Sequence, residues 1–534
     1  MLSIEIPIPL DSLILQATSI AVVGLLARKV YKRAHLYFAT RHLAGPPFAG
    51  FIMGHFQVAL DDDKAVVMNQ WMETYGKVIR TSGMMGASEV LLTDLKAISH
   101  VLKHDSAIYQ KPGDVTYLLE RLTGHGVLVT EGDDHRKQRR VMNPAFGPVE
   151  IRAITEVFFE KSIELRDAWA TQIENEGKGV EIQVDVLHWL SRMTLDVIGQ
   201  AGFNYQLDAI SGKYNALNEA FSHTFASGSF MSFTPETQGA FRRAHGTSSR
   251  IAKELYEHNR AAVEKTGTSQ DRDLFSLLIK SNMSKDVPEA QKMTEEEVLA
   301  QVPTFLAAGH ETTSTSTTFA LYLISMNPEI QSKLRREVSS LPTDSPPMDQ
   351  LNSLPYLDAV IRESLRVLTP VQSTVRKAMK DDIIPVEQPF LDRYGRQHHF
   401  VEYAQLRANF ANEVKKGHDI VIPILAINKD KSLWGEDAEE FKPERWENLP
   451  DAVKSVPGVW GNLLTFLGGP HACIGWRFAL VETKALVFTL VRAFEFELAV
   501  PKEDVMIKRG FVVLRPEVKG REGNQLPVNI RPVN

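Results

Sequence analysis

Phe466-Leu467-Gly468-Gly469-Pro470-His471-Ala472-Cys473-Ile474-Gly475 contains the only cysteine of a 534-residue chain. Its glycines and proline make it a loop, not the middle of an apolar element. Trp476 to Phe494 reads as a helix, so Cys473 falls just before a helix N-terminus. Free backbone N–H groups at such an end stabilise an anion, and a thiolate is an anion. Gly469 and Gly475 permit φ > 0 or a close approach of the backbone to a flat ligand, against which Phe466 can lay an apolar ring. A lone cysteine is ordinarily a small buried hydrophobe; the pattern of its neighbours sets this one apart.

That pattern, Phe-x-x-Gly-x-His-x-Cys-x-Gly, resembles the haem-binding loop of the cytochrome P450 family, with His471 where most members carry Arg. The resemblance implies haem b, with Cys473 as the axial iron ligand and Phe466, Gly469, His471 and Gly475 around it. His471 then gives a shorter, pH-sensitive contact to a haem propionate.

Upstream, Thr294-Glu295-Glu296-Glu297 is a capping box ahead of a long apolar run. The pattern predicts one helix from Glu295 to Met326, kinked by Pro303, which removes a backbone donor and crowds the preceding turn. At its centre stands Ala308-Gly309-His310-Glu311-Thr312-Thr313. Gly309 costs ~1 kcal/mol relative to alanine there. The small pair Ala308-Gly309 lets a ligand approach the backbone, and Glu311 with Thr312 can relay protons through water. The bland alternative is a helix kink with a threonine bonded back to a carbonyl. The stretch is similar to the family's oxygen-activation motif at every position, which implies Glu311 and Thr312 as catalytic residues. It also places Ala308 beside the cofactor and Phe305 at the substrate pocket. His310 occupies the variable position and receives no role.

His135 and Arg139, four apart on a helix ending near Asn143-Pro144, share one face. The family has Trp-x-x-x-Arg here, so the resemblance implies propionate binding by Arg139 and, through a ring N–H, by His135. Arg376 resembles a third propionate ligand. Glu363 and Arg366 can pair three apart on the helix Pro355 to Leu368. The family joins such a pair to an arginine in the position of Arg445, a buried structural network. Val371, Val375 and Phe511 are further pocket candidates. Phe221, Phe225, Phe230 and Phe233 lie in the region that lids the channel in the family.

Elsewhere, Val78–Thr81 and Glu89–Thr93 read as strands, Gly113 to Gly132 as loop, residues 150–290 as mostly helical, and Ile420–Ile424 as a strand that Pro423 places at a sheet edge or a strand end. Pro385 to Gly417 is longer and more charged than the family usually has here. Its adjacent His398 and His399 read as solvated rather than metal-bound. The expected architecture is mainly α with a minor β-sheet, a triangular helical domain of the P450 fold spanning residues 44–534.

Residues 1–43 read as a membrane anchor and basic linker. The 16-residue run Ser12–Ala27 is mostly apolar and is followed by Arg28, Lys29, Lys32 and Arg33. It is a little short of the ~20 residues that span hydrocarbon. The charge order places the following chain in the cytosol and argues against a cleaved signal peptide. A single span is expected, with an interfacial helix as the alternative. A 43% hydrophobic, 24% charged chain fits a large globular core, and a net charge of −6 gives no support for nucleic-acid binding. One cysteine excludes an internal disulfide and a Cys/His zinc site of this spacing.

Together these features imply a single-pass protein of the endoplasmic reticulum membrane that hydroxylates a lipophilic substrate with O2. They imply electrons from NADPH–cytochrome P450 reductase, with cytochrome b5 as a second donor. A haem-thiolate isomerase, dehydratase or peroxygenase keeps the fold but does not need the Glu311–Thr312 pair, and a haem carrier or sensor needs neither that pair nor an apolar lid. Pocket residues are generic apolar ones, so the substrate is not legible; terpenoids, fatty acyl chains and aromatic compounds, and a place in secondary metabolism, all fit.

Overall fold

The apolar spacing after Gly475 forms a helix, Trp476–Ala493, buried along almost its whole length. It packs on Pro148–Asn175 and on the long helix Gln301–Ser325, the centre of the helical body. The computed structural model describes residues 10–56, 58, 65–213, 235–266, 272–401, 416–509 and 512–533. Phe221, Phe225, Phe230, Phe233 and Phe511 lie outside the described residues. The labelled helices are α1 (Leu10–Thr40), α2 (Gly132–Met142), α3 (Val186–Phe203), α4 (Gln301–Ser325), α5 (Pro355–Val367) and α6 (Trp476–Ala493).

Small sheets flank this body. Strands β1 (Val78–Ser82), β2 (Ser88–Leu92), β3 (Tyr109–Gln110), β5 (Thr374–Ala378) and β8 (Asp419–Ile422) form one sheet in the order β1-β2-β8-β5-β3. Only β2 and β8 run parallel, with Val90 opposite Ile420. Strands β4 (Ile182–Asp185), β9 (Phe494–Leu498) and β12 (Pro527–Pro532) make a second sheet, with β12 in the middle. Two hairpins complete the set, β6–β7 (Ile384–Leu391 and Gln397–Val401) and β10–β11 (Val505–Arg509 and Leu514–Val518). One apolar cluster fills the helical body and a second lies under the first sheet. The expected class, mainly α with minor β, is the one observed.

Four expectations change. The long helix is divided: a short helix, Glu295–Leu299, carries the capping box, and α4 begins at Gln301. The break falls at Ala300, three residues before Pro303. Pro303 has no N–H for the Leu299 carbonyl, and its ring crowds the preceding turn. Gly113–Thr123 is a helix, not loop. The 385–417 segment is partly a β-hairpin, and His398 is not solvated: it stacks on Phe390 and bonds Asp392 at 3.2 Å. His399 is exposed, and no cluster of three metal-ligating side chains occurs among the described residues.

The basic stretch 28–33 is helical, within α1; the end of α1 packs on β2 through Thr40, which bonds Ser88 at 2.5 Å. Among the described residues no helix is long and apolar enough to cross a membrane. The helix has the length, ~46 Å for 31 residues at ~1.5 Å each. Its apolar run stops at Arg28.

Buried histidines make the fold acid-sensitive. Burial pushes His42 down to about 4 and His310 down to about 3, against ~6.5 in an unfolded chain. Below pH ~6.5 the unfolded state therefore binds more protons, and stability falls as pH falls toward these folded values. The pair contributes a slope of up to about 2.7 kcal/mol per pH unit. Denaturant melts between pH 6.5 and 5 should show this loss, and His310→Gln should lower the slope by up to about 1.4 kcal/mol per pH unit. A flat profile in the wild type would contradict the assignment.

Candidate functional site

The cysteine loop is held by its own backbone. Cys473 N–H donates to Phe466 C=O at 2.9 Å and Ala472 N–H to Gly469 C=O at 3.1 Å. Gly469 sits at φ 74°, and a Cβ there would overlap the Leu102 carbonyl, so both conformation and space demand glycine. Gly468 would likewise strike Pro457. Gly475 has neither constraint; its nearest neighbour is the Phe146 ring. Phe466 packs edge-on against Trp460.

Cys473 is solvent-accessible, yet burial is the strongest influence on its thiol. The side chain therefore looks into an internal cavity. Burial pushes the thiol up, while the backbone at Gly475 and the Arg139 guanidinium pull it down. Arg139, from α2, also donates to the Ala472 carbonyl at 2.5 Å.

Helix α4 is buried at every position except Ala308, Gly309 and Thr312. Ala308 and Thr312 share one face with Gly309 beside them, and Ala308 is exposed in the middle of a core helix, which points this face toward a cavity. Phe146 joins the two halves: it packs edge-on against Phe305 of α4 at 5.5 Å and lies beside Gly475. Phe305, expected at the pocket, is buried between Phe146 and Phe203. Gly309 serves packing more than ligand approach, since a Cβ there would come within 2.9 Å of Ile198 on α3.

Glu311 and Thr312 do not pair directly. The Thr312 hydroxyl donates to the Ala308 carbonyl at 2.7 Å. The Glu311 carboxylate pairs with Arg515 of β11 and lies 3.1 Å from His310 Nε2. Arg515 also donates to Thr315 at 2.8 Å, and burial pushes it down to about 10. His310 Nε2 is 3.1 Å from the Ser191 hydroxyl, so this residue anchors α4 to α3. Val371 and Val375 are half-buried beside β5. Leu514 N–H bonds the Pro370 carbonyl at 2.7 Å, which ties the β10–β11 hairpin to that segment.

Beside the loop lies a polar cluster. The His135 and His471 rings stack at 3.7 Å. His471 Nδ1 is 3.0 Å from Asp105 and its Nε2 3.2 Å from Glu131, yet neither contact has hydrogen-bond geometry. Arg376 is buried on β5, 3.8 Å from Asp105, and Lys111 bonds Glu131 at 2.8 Å. Glu131 is held down at about 2 by His471 and Lys111, against the opposing effect of burial. His135 is pushed down to about 3 by burial and by His471. Both His471 nitrogens, His135 Nδ1 and both Asp105 oxygens are buried without hydrogen-bond partners. Such atoms are costly unless a ligand completes them. A haem fits these residues: Arg139, Arg376, His135, His471 and Lys111 can receive its carboxylates, and Cys473 its iron. Asp105, Glu131 and Lys111 were not legible, because nothing local in the sequence distinguishes them from surface charges.

Behind the loop, Glu363 accepts two bonds from Arg366, at 2.9 and 2.8 Å, and one from Arg445 at 3.2 Å. Trp446 Nε1 and Lys442 N–H add two more at 3.0 Å. Asp437, unforeseen, pairs with Arg445 at 2.5 Å.

The sequence model of the cytochrome P450 family matches residues 43–386 and 409–521. The chain is 46% identical over 518 residues to cytochrome P450 monooxygenase 205 of Postia placenta, covering 92% of this chain and 93% of the relative. It is 45% identical over 520 residues to monooxygenase 128 of the same fungus, covering 92% of each chain. To cytochrome P450 monooxygenase claU of Ampulloclitocybe clavipes it is 34% identical over 553 residues, covering 98% of each.

Proposed function

Because this chain belongs to the cytochrome P450 family and is a haem-thiolate monooxygenase, we propose that it inserts one atom of O2 into a lipophilic substrate using haem b and electrons relayed from NADPH by cytochrome P450 reductase. The observation that carries this reading is an exposed cysteine flanked by buried elements, together with a helix face, Ala308, Gly309 and Thr312, left uncovered in an otherwise buried helix.

Bound there, haem supplies the activation of O2 for attack on a C–H bond. The chain's own part is placement and proton control. Cys473 supplies the thiolate, and Arg139 with the Gly475 backbone favours its charged form. The Thr312 hydroxyl, on the exposed face of α4, can pass a proton inward from Oγ1. Glu311, held as a carboxylate by Arg515 and near His310, can refill it once that ion pair opens and the carboxylate takes up a proton from solvent water. Thr312→Ala should keep NADPH consumption but lower product per NADPH at least about tenfold, within the range of a lost proton-transfer group. Unchanged coupling, read by product and peroxide assays, would remove Thr312 from the path.

The exposed apolar side chains of α1, including Ile20, Val23, Leu25 and Val30, support association with the cytosolic surface of the endoplasmic reticulum membrane. A role in secondary metabolism is part of this reading, and cytochrome b5 is a second donor to test. Reconstitution with reductase, NADPH and a panel of lipophilic compounds tests the reading. A spin-state change followed by an oxygenated product is expected for at least one compound. Haem-loaded protein that takes up no electrons from the reductase would overturn the donor assignment.

A further inference from the structure

We propose that Arg515 of β11 is a positioning residue for the reaction: by pairing with Glu311 it sets when that acid holds the proton that Thr312 passes on. This deepens the proton-control reading above and rests on it. The pairing closes a ring. The Arg515 guanidinium meets the Glu311 carboxylate and donates to the Thr315 hydroxyl at 2.8 Å. Thr315 in turn donates to the Glu311 carbonyl at 2.8 Å, so one arginine brackets the helical turn that starts at Glu311. Its backbone is fixed. Leu514, the residue before it, is buried, and its N–H bonds the Pro370 carbonyl at 2.7 Å. Val505 and Ile507 on the other strand of the hairpin lie with Leu514 in the main apolar cluster.

The surroundings leave the charge on Glu311 to this arginine. Burial pulls Arg515 down to about 10, so it is still a cation at neutral pH. Among the described residues, the basic groups within ion-pair distance of Glu311 are Arg515 and His310. Burial and Arg515 itself push His310 down to about 3, which leaves it uncharged at neutral pH. Helix α3 faces this turn with Ser191 and Thr194, which are uncharged and lie 3.1 Å from the His310 ring and carbonyl. Helix α6 brings Glu482 beside Thr313, and burial pushes its carboxyl well up. On α5 the pair Glu363–Arg366 is closed on itself and on Arg445.

An uncharged donor on β11 would tie the hairpin to α4 equally well. A cation also fixes the proton affinity of the acid: an arginine in contact lowers a carboxyl group by about 1–3 pH units, and burial without that arginine raises it. Thr312 opens on the cavity while Glu311 is turned to Arg515. The proton therefore moves in a fixed order. The ion pair opens, the carboxylate takes a proton from water, Thr312 Oγ1 receives it and passes its own proton inward.

The test reads the Glu311 proton directly, as an infrared band of a protonated carboxyl that holoenzyme shows and its Glu311→Gln variant lacks. In the wild type that band should be missing at neutral pH; finding it there overturns the proposal with Arg515 untouched. Arg515→Met keeps the apolar stem and removes the charge. It should raise the pH at which the band titrates by about 1–3 units, a roughly ten- to thousandfold gain in proton affinity, and Arg515→Lys should stay near the wild type. Product per NADPH should follow, holding to a pH higher by the same amount in the methionine variant. A role confined to packing would lower haem content in both variants and leave the titration in place, which overturns the proposal. A band that moves while the pH profile of coupling stays put overturns the link to the reaction. Unchanged coupling in Glu311→Gln overturns the proton-relay reading itself, and the part of Arg515 with it.

Discussion

Replacing Cys473 by serine is expected to abolish the red-shifted Soret band of the reduced, CO-bound protein and to reduce oxygenation to background. The loop would tolerate the change sterically, because its shape comes from backbone bonds and from Gly468 and Gly469, not from the sulfur. The chemistry would not tolerate it. A thiolate is a soft ligand available near neutral pH, whereas a serine hydroxyl stays protonated there. Arg139 and the Gly475 backbone, which favour an anion on sulfur, cannot bring an alcohol within reach. A variant that kept the wild-type spectrum would remove Cys473 from the metal.

Glu363→Ala is expected to prevent stable holoprotein from accumulating. Glu363 and Arg366 are wholly inaccessible to solvent and Arg445 nearly so. Removing the carboxylate leaves two guanidinium groups, the Trp446 N–H and the Lys442 N–H without their acceptor. Breaking a buried charge set in this way costs ~3–5 kcal/mol, a large share of the ~5–15 kcal/mol that holds a typical domain together. Denaturant midpoints and haem content should both fall, and Glu363→Gln should lose less, because the amide oxygen still accepts. Unchanged stability in the alanine variant would mean that the set is not structural.

These two sites differ in how they could be read. The Cys473 loop is a local object: its spacing, its glycines and the helix behind it lie within some thirty residues of sequence. Glu363 and Arg366 are one helical turn apart, so their pairing was legible, but Asp437 and Trp446 joined them only through the fold. The capping box at Thr294 formed as read, with both reciprocal bonds present. The helix break it precedes was misplaced by three residues, because a proline acts on the turn before it. The acid–alcohol pair was legible as two neighbours, but neighbours on a helix point about 100° apart. Thr312 faces the cavity, and Glu311 reaches Arg515, two hundred residues further along the chain.

Sequence by itself determined the family, the helical class and the buried Glu363–Arg366 pair, and it singled out the Cys473 loop and the Ala308–Thr313 stretch as the candidate site. Each depends on residues within a loop or a few helical turns of each other, where spacing alone sets geometry. Tertiary structure alone decided that Asp105, Glu131 and Lys111 gather around His471, that Arg515 holds Glu311, and that the β6–β7 hairpin packs at the exit of α1. Those contacts join charges far apart in the chain. A charged residue reads the same in sequence whether it meets water or a buried partner, and only packing distinguishes the two.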